Sequence, residues 1–487
     1  MIKPLNRAGI TDAKQYPLRI LQFGGGNFLR AFIGWMVEVL NEESDFNSDI
    51  VIVKPTAKGT YRELREQQGL YHVLLQGLRK GEPVSEIKRI HCVRKILNPY
   101  NEWKAFLELA EIPTFRFIIS NTTEAGIQFN REARQEDRPP EGFPAKLTLW
   151  LYHRFHHFGG DMEKGCVVLP CELIEENGAV LRDCILEHGR EWGLDEEFLD
   201  WINRANYFCD TLVDRIVSGF PGDTASSLWE ELGFRDQLLV AGELYHSWVI
   251  QGPEFLPACF PSTRTHLNIR FVKNLSPYRE MKVRILNGAH ILMVPVGYLL
   301  GFRQVHECLH DPGMRVYLEA LLRDEICSVL DLPPEDVRAF SNEVLARFQN
   351  PFIRHELMSI ALNALPKFKT RVLPTIIDYH CKYNKFPDRI LFAFAALLYF
   401  YKGTVNGLSI PLNDDPRILD FFRQVWADYS LSSEKAALEL VNKVLNFEYL
   451  WDVSGTILPA SADQVAGYLY AIDSMGIEDA IRGLGTC

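Results

Sequence analysis

Short apolar runs rich in β-branched and aromatic residues recur along the first part of the chain. Runs of about four to eight such residues, bounded by turn-forming residues, are typical of buried strands. The pattern predicts strands at 16–23, 49–53, 114–119, 164–169, 245–251 and 267–275. Because helical stretches separate several of these runs, βαβ units and a mostly parallel sheet are expected.

After Pro277 the pattern changes, and apolar residues recur with the helical period almost to the end of the chain. We therefore predict an α/β domain over residues 1–276 and an all-α domain over residues 277–487, the latter carrying substrate and catalytic residues. The helical stretches are predicted at 312–330, 335–348, 352–363, 370–383, 387–402, 416–428, 433–446 and 462–475.

A glycine-rich turn directly follows the first predicted strand and precedes a helical stretch. In a dinucleotide-binding unit such glycines let the backbone approach a pyrophosphate at the start of a helix. Gly24 and Gly26 fit the first two positions of that fingerprint, whereas Leu29 stands at the third. A tight strand-to-helix turn needing glycines for steric reasons alone is the alternative interpretation. We predict a Rossmann-type domain whose candidate cofactor residues here are Gly24, Gly25, Gly26, Asn27, Phe28 and Arg30.

Polar groups at the ends of other predicted strands are further candidates for the cofactor site. Ligands of open α/β sheets bind at the carboxyl ends of the strands, where the turn 120–126 would place Asn121, Thr122 and Glu124. Ordinary turn chemistry also favours these residue types. Lys54 follows the second strand, where NAD-binding domains carry an acidic residue, so the sequence does not by itself distinguish NAD from NADP.

The segment 281–301 combines a charged opening with an apolar run. At about 100° per residue, Lys282, Asn287 and His290 fall at roughly 0°, 140° and 80° around a helix, so one side can present all three. A lysine, an amide and an imidazole together suit a carbonyl that must be polarised and protonated. A buried amphipathic helix with a solvated lysine and a satisfied core histidine is the alternative interpretation. This helix lies at the predicted domain boundary, where ligand clefts commonly form.

The amino-acid composition and the net charge of the chain argue against several classes of function. The chain has 487 residues, 47% of them hydrophobic, and a formal net charge of −11, so a nucleic-acid partner is not expected. The ten cysteines form no CxxC pair, and the clustered histidines 153, 156 and 157 have no evident third ligand, so we expect no metal site. Without a signal-like N-terminus or a membrane-length apolar run, the chain is expected in the cytoplasm and not in a membrane.

Several motifs together resemble the mannitol dehydrogenase family of long polyol dehydrogenases. They are the glycine turn with its trailing FxRAF (24–32), TEAG (123–126), VDRI (213–216) and KxxxLNxxH (282–290), and their order and spacing match over nearly the whole chain. The longer shared phrases are most similar to family members that reduce a keto sugar acid. The resemblance implies a Rossmann domain, NAD as the cofactor and a small sugar acid as the substrate.

The resemblance also assigns roles to single residues. It implies that Lys282 is the catalytic acid/base, that Asn287 and His290 are its partners, and that Asn177 also faces the reacting oxygen. A lysine that donates a proton near neutral pH needs a pKa lowered by burial or a nearby cation. Asp214 matches a position near the active site, although a structural partner of Arg215 is an alternative interpretation.

Discrimination between a sugar acid and a sugar must come from the carboxylate end of the substrate. A carboxylate leaving water needs cations or several donors, and Lys367, supported by His355 or Arg371, is our candidate. Solvated helix charges are the alternative interpretation. A sibling enzyme for another sugar acid or for an uncharged polyol such as mannitol, and a non-catalytic dinucleotide-binding sensor, remain open. Monomeric and small homo-oligomeric states also remain open.

Overall fold

The computed structural model describes residues 2–9, 14–79, 81–122, 126–405, 407–451 and 458–484. The chain divides into two compact units, Met1–Ser276 and Pro277–Cys487. Within the described ranges, no helix is both long and apolar enough to span a bilayer. Among the same residues, no three His, Cys, Asp or Glu side chains are placed to hold a metal ion.

The first unit contains both strands and helices. Its strands are β1 (Lys3–Pro4), β2 (Leu18–Phe23), β3 (Asp49–Val53), β4 (Tyr71–Arg79), β5 (Glu82–Ile90), β6 (Val93–Leu97), β7 (Phe117–Ser120), β8 (Val167–Pro170), β9 (Tyr207–Phe208), β10 (Asp210–Asp214), β11 (Val217–Gly219), β12 (Phe234–Arg235), β13 (Val240–Glu243), β14 (Ser247–Gln251) and β15 (Ile269–Val272). Its helices are α1 (Asn27–Leu29), a π-helix (Arg30–Gly34), α2 (Trp35–Glu43), α3 (Arg62–Glu66), α4 (Trp103–Glu108), α5 (Phe143–His157), α6 (Asn177–Glu191), α7 (Glu196–Ala205), α8 (Ala225–Leu232) and α9 (Leu256–Cys259).

A parallel sheet with strand order β6-β3-β2-β7-β8-β9 forms the centre of this unit. Successive residues of a strand point to opposite faces, and here both faces are buried. Ile20 and Ile52 belong to one hydrophobic core, whereas Leu21 and Val53 belong to the other. This arrangement explains the continuous apolar runs in the sequence and confirms the predicted Rossmann-type fold.

Two smaller sheets in the first unit were not predicted from the sequence in full. One has the order β11-β13-β4-β5, and the other the order β10-β14-β15. The β4–β5 hairpin pairs Tyr71 with Ile90 and Arg79 with Glu82. Most residues of β5 are exposed or half-buried, and its sequence EPVSEIKRI is therefore polar. A strand with little buried surface lacks the apolar signature on which sequence reasoning depends.

The second unit is predominantly helical. Its helices are α10 (Ser276–Met281, which begins at the boundary), a π-helix (Lys282–Gly288), α11 (Ala289–Leu299), α12 (Val305–His310), α13 (Pro312–Ala320), a second π-helix (Leu321–Ile326), α14 (Pro334–Phe348), α15 (Leu357–Ala361), α16 (Ala364–Arg371), α17 (Leu373–Tyr383), α18 (Asp388–Phe400), α19 (Pro416–Asp428), α20 (Glu434–Leu445), α21 (Ala462–Met475) and α22 (Ile477–Arg482). A two-stranded ladder joins β16 (Thr404–Val405) to β17 (Leu408–Ser409). This composition confirms the predicted all-α class.

The predicted helix at 352–363 is wrong over most of its length. Only Leu357–Ala361 is helical there, and a separate helix, α16, follows at Ala364–Arg371. Asn363 separates the two helices because it adopts a left-handed conformation with φ of 53°. Pro366 lies in the first turn of α16, where a missing backbone N–H costs little. The correction places Lys367 and Arg371 on one short helix.

His188 of α6 is buried, and within the described part of the chain neither of its ring nitrogens has a hydrogen-bond partner. Its ring stacks on Trp192 at a centroid distance of 5.0 Å and contacts Phe129 at 4.6 Å. Burial lowers the pKa of His188 to about 4. The imidazole is therefore neutral near pH 7, and protonation favours the unfolded chain.

Acid is expected to destabilise the first unit through His188. The pKa of His188 in the folded chain lies below its unfolded value of about 6.5. The free energy of unfolding should therefore fall as the pH drops from 6.5 towards 4, by up to about 3 kcal/mol. Thermal unfolding of wild type and His188→Phe should be compared between pH 7 and about 4. The variant should show a shallower acid decline, with exposed His157→Phe as the control. Equal declines would contradict this expectation.

Candidate functional site

The glycine turn lies at the carboxyl edge of the central sheet. The N–H of Gly24 donates to the carbonyl of Val53 at 3.0 Å, and the N–H of Asn121 donates to the carbonyl of Phe23 at 3.2 Å. Gly24 has φ of 116°, and a Cβ there would lie 3.0 Å from the Asn121 carbonyl oxygen. Glycine is therefore required at this position by both conformation and space.

Gly26 differs from Gly24 because no atom of the described residues occupies the space beside it. A Cβ built on Gly26 meets none of those atoms within 4 Å, and its φ of −69° and ψ of 172° are accessible to any residue. Gly26 is the N-cap of α1 and offers no side chain to the first turn. Open space in front of a helix start fits the close approach of a dinucleotide pyrophosphate, whose charge the N-terminal N–H groups would meet.

Replacing Gly26 with valine is expected to weaken NADH binding at least about tenfold, the factor that 1.4 kcal/mol represents. The fold accepts the side chain, but the branched carbons fill the space that the pyrophosphate needs. Titration of NADH against the variant, followed by fluorescence, measures the change. Gly222→Val is a matched control because a Cβ there also meets nothing within 4 Å. Unchanged affinity in Gly26→Val would show that this glycine serves the turn alone.

Arg30, predicted to bind the cofactor, is 7% exposed and directed to protein groups. Its guanidinium donates to the Leu238 carbonyl and, at 2.6 Å, to Oδ1 of Asn27. It also lies 5.5 Å from the centroid of the Tyr71 ring. The neighbouring Phe28 stacks on Phe32, with centroids 4.9 Å apart. Arg30 thus orients the exposed Asn27, and a direct cofactor contact by Arg30 stays a prediction.

The lysine at the end of β3 is already engaged by the protein. Lys54 is 4% exposed, and its Nζ donates to the Ala57 carbonyl at 2.7 Å. The same ammonium lies 5.5 Å from the Tyr100 ring centroid, and Nζ of Lys146 lies 4.9 Å from it. Because the Lys54 cation is buried against a carbonyl, it is not presented as a ready partner for an added phosphate.

A buried glutamate connects the ends of β7 and β8, and it opens the turn 172–178, which the sequence also predicts to lie at the site edge of the sheet. Glu172 is 2% exposed, and its Oε1 accepts from the N–H and the hydroxyl of Thr122 at 2.9 and 3.1 Å. Its Oε2 accepts from the Ser120 hydroxyl at 3.0 Å. Asn121 donates to the Cys171 carbonyl at 2.7 Å. The predicted cofactor residue Glu124 lies outside the described residues.

Asn177 is fully buried at the start of α6, and the protein backbone uses its amide. Its Nδ2 donates to the carbonyls of Pro170, Glu172 and Thr211 at 3.0 to 3.1 Å, and its Oδ1 accepts from the Thr211 N–H at 2.9 Å. The amide therefore connects the end of β8 to β10. A hydrogen bond from Asn177 to a substrate oxygen stays a prediction, and these internal partners were not predicted.

Asp214 ends β10, half-buried, where it pairs in register with Ser247. The adjacent Arg215 stacks on Trp35 at 4.1 Å and donates to the carbonyls of Ala31 at 2.6 Å and Tyr245 at 3.0 Å. Arg215 therefore has a structural role of its own. The substrate role of Asp214 stays a prediction.

In the second unit, the predicted catalytic lysine and amide lie on a π-helix, at Lys282 and Asn287. A π-helix bonds residue i to i+5, so residues five apart lie near one face, whereas α geometry would separate these two by about 140°. Both side chains are half-buried. Short π segments inside helices are frequent at functional sites. The backbone geometry thus brings the lysine and the amide closer together than the sequence predicted.

His290 lies one turn further along, on α11, and is 7% exposed. Its ring contacts Phe348 at 4.4 Å and His355 at 4.9 Å, centroid to centroid. Its Nε2 is buried and has no hydrogen-bond partner among the residues that the structure describes. Burial lowers the pKa of His290 well below its usual value, so the imidazole is neutral at pH 7. A neutral ring with an unused buried nitrogen is suited to a substrate hydroxyl.

Four basic residues affect the ionisation of His290. Burial is the first cause that lowers the pKa of His290, and His355, Arg347, Arg371 and Lys367 lower it further, in that order. Sequence reasoning selected three of these residues and missed Arg347, which is 8% exposed. The sequence offered one sign of Arg347, because it is an arginine on the mostly apolar side of the predicted helix 335–348.

A backbone carbonyl holds the side chain of Lys367, and a backbone hydrogen bond holds the main chain of His355. Nζ of Lys367 donates to the Ile360 carbonyl at 2.9 Å, so α15 holds the lysine of α16. The carbonyl of His355 accepts from the N–H of Val305 at 3.0 Å, beside the bridge between Gln304 and Glu356. Arg371 and Lys367 are half-buried, and burial is the first cause that lowers the pKa of each. Partly desolvated cations of this kind suit a carboxylate.

Family models and relatives of known name both match this chain over most of its length. Residues 18–259 match the family model of the mannitol dehydrogenase Rossmann domain, and residues 274–466 match that of the mannitol dehydrogenase C-terminal domain. Altronate oxidoreductase of Bacillus subtilis is 43% identical over 481 residues, which cover 99% of this chain and 98% of the relative. Altronate oxidoreductase of Shigella flexneri serotype 5b is 43% identical over 484 residues, which cover 99% and 100%.

Two solved structures share the fold over the full chain. A D-sorbitol dehydrogenase in substrate-free form superimposes with a TM-score of 0.78 at 21% identity, covering 99% of this chain and 100% of that one. Mannitol 2-dehydrogenase of Pseudomonas fluorescens, in a ternary complex with NAD and D-mannitol, superimposes with a TM-score of 0.67 at 21% identity, covering 99% of both chains.

Proposed function

This chain belongs to the mannitol dehydrogenase family of oxidoreductases, and from that premise we propose that it reversibly reduces D-tagaturonate to D-altronate with NADH, in hexuronate catabolism. The observation that carries the proposal is the 43% identity to altronate oxidoreductases over 99% of the chain. The matched stretch extends over both units of the chain.

The first unit holds the cofactor in this proposal. The open space at Gly26 and the helix start behind it fit the pyrophosphate of a dinucleotide. Lys54, engaged by the Ala57 carbonyl, supports NADH over a cofactor with a 2′-phosphate. When bound, the nicotinamide supplies a hydride to the ketone carbon of the substrate.

Residues of the second unit act on the substrate oxygen. Negative charge grows on that oxygen as the carbon is reduced, and the Asn287 amide stabilises it by donating a hydrogen bond. Nζ of Lys282 delivers the proton that completes the hydroxyl, and it takes the proton back in the reverse reaction. His290 orients the substrate through the hydroxyl next to the carbonyl, using its otherwise unused Nε2.

The basic cluster supports a sugar acid over a neutral sugar. Arg347, Arg371 and Lys367 place positive charge near His290, whereas a polyol would bring no charge to offset it. Asp414 offsets part of the charge of Lys367. Cations withdrawn from water are costly unless they are paired, so a carboxylate at the far end of the substrate is favoured.

The proposal is tested by following the oxidation of NADH and of NADPH by absorbance with tagaturonate, fructuronate and fructose in parallel. We expect kcat/KM for NADH with tagaturonate to exceed each other combination at least about tenfold, or 1.4 kcal/mol. A preference for fructuronate or fructose would contradict the substrate assignment. Equal efficiency with NADPH would contradict the cofactor assignment.

A further inference from the structure

The Glu172 side chain connects two loops at the edge of the sheet where the cofactor is proposed to bind. β7 and β8 are parallel neighbours, with Ser120 in register with Pro170, so the loops that follow them begin side by side. From the β8 loop, the carboxylate reaches back to the β7 loop and accepts hydrogen bonds from Ser120 and Thr122. Neither partner is near Glu172 in sequence.

The partners of the Glu172 carboxylate require an acceptor on one of its two sides. The N–H of Thr122 can only donate, so the oxygen 2.9 Å from it must accept. The Ser120 hydroxyl can either donate or accept. A buried carboxylate is costly unless such donors replace its hydration, and Glu172 is 2% exposed. The Glu172 carboxylate is therefore costly to bury, and the Ser120–Thr122 segment supplies donors that offset this cost.

The side chain and main chain of Glu172 act on different groups. The carboxylate binds the Ser120–Thr122 loop, which carries the candidate cofactor residues Asn121 and Thr122. The main-chain carbonyl instead accepts from the Asn177 amide at 3.0 Å. Changing the side chain should therefore disturb the cofactor loop and leave the Asn177 contacts in place.

We propose that Glu172 is a positioning residue for the dinucleotide, holding the Ser120–Thr122 loop in the conformation that binds the cofactor. The inference rests on the proposed function in one respect, that a nicotinamide dinucleotide binds at this edge of the sheet. Glu172 itself touches neither the cofactor nor the reacting atoms in this role.

The test compares Glu172→Ala with Glu172→Gln. We expect the alanine variant to raise the Kd of NADH at least about tenfold, with kcat at saturating NADH within about threefold of wild type. Glutamine can direct its oxygen to Thr122 and its amide to Ser120, so it should restore the Kd to within about threefold. Glu187→Ala, an exposed change on α6, is the control.

A folded Glu172→Ala variant whose Kd for NADH stays within about twofold of wild type overturns the inference. If that variant does not fold, Ser120→Ala decides, because it removes the hydroxyl that donates to Oε2. An unchanged Kd in Ser120→Ala also overturns the inference. A wild-type chain that binds NADH without reducing tagaturonate contradicts the proposed function alone, since the Glu172 comparison uses binding. A wild-type chain that binds no nicotinamide dinucleotide overturns both.

Discussion

Lys282→Ala is expected to lower turnover by roughly 10²–10⁴-fold, the range that general acid–base catalysis supplies. Lys282 opens the π-helix that also carries Asn287, and its proposed task is to deliver the proton to the substrate oxygen. NADH affinity should be nearly unchanged, because the proposed pyrophosphate site is at Gly26 in the other unit. Steady-state kinetics and NADH titration measure the two effects separately.

Two controls sharpen this experiment. Lys435→Ala removes an exposed lysine from the same unit and should leave turnover at the wild-type value. A small primary amine added to Lys282→Ala should restore part of the rate, because it can supply the missing proton. The assignment fails if Lys282→Ala retains more than about a tenth of the wild-type turnover.

Lys367→Ala is expected to raise KM for tagaturonate by roughly tenfold or more. Removing one partner of a desolvated charge pair costs on the order of 2–5 kcal/mol, and the partial exposure of Lys367 favours the lower end. The Ile360 carbonyl holds its Nζ in place, so the charge is positioned before substrate arrives. The effect should be specific to substrates that carry a carboxylate.

The matched control for Lys367 is on the same helix. Lys369 lies about 200° around α16 from Lys367. The variant Lys369→Ala should therefore change KM for tagaturonate little. Activity with fructose, which lacks the carboxylate, should respond weakly to Lys367→Ala. A KM for tagaturonate within about twofold of wild type would place the carboxylate contact elsewhere.

Local sequence patterns were sufficient to predict the structural class of each unit. Continuous apolar runs predicted strands buried on both faces, and the structure has β2, β3, β7 and β8 at those runs. The helical period after Pro277 predicted the helical unit. Both patterns are repeated over many residues, so single deviations did not change the outcome. The prediction was wrong at 352–363, where one left-handed residue, Asn363, divides two helices.

The geometry of the candidate sites depended on features that no local pattern contains. Glu172 is far in sequence from Ser120 and Thr122, and it reaches them only because β7 and β8 pair in a particular register. Asn177 likewise binds Thr211 through the packing of α6 against β10. If the same strands paired in another register, these groups would not meet their hydrogen-bond partners.

The sequence by itself determined the fold class, the glycine turn that follows the first strand, and the short list of polar residues around Lys282, because each depends on residues close together along the chain. Tertiary structure alone decided that residues 282–288 form a π-helix, that Arg347 joins the basic cluster at His290, and that Arg30 serves Asn27 and Leu238. These outcomes follow from packing between distant segments, where burial and hydrogen-bond satisfaction override local preference.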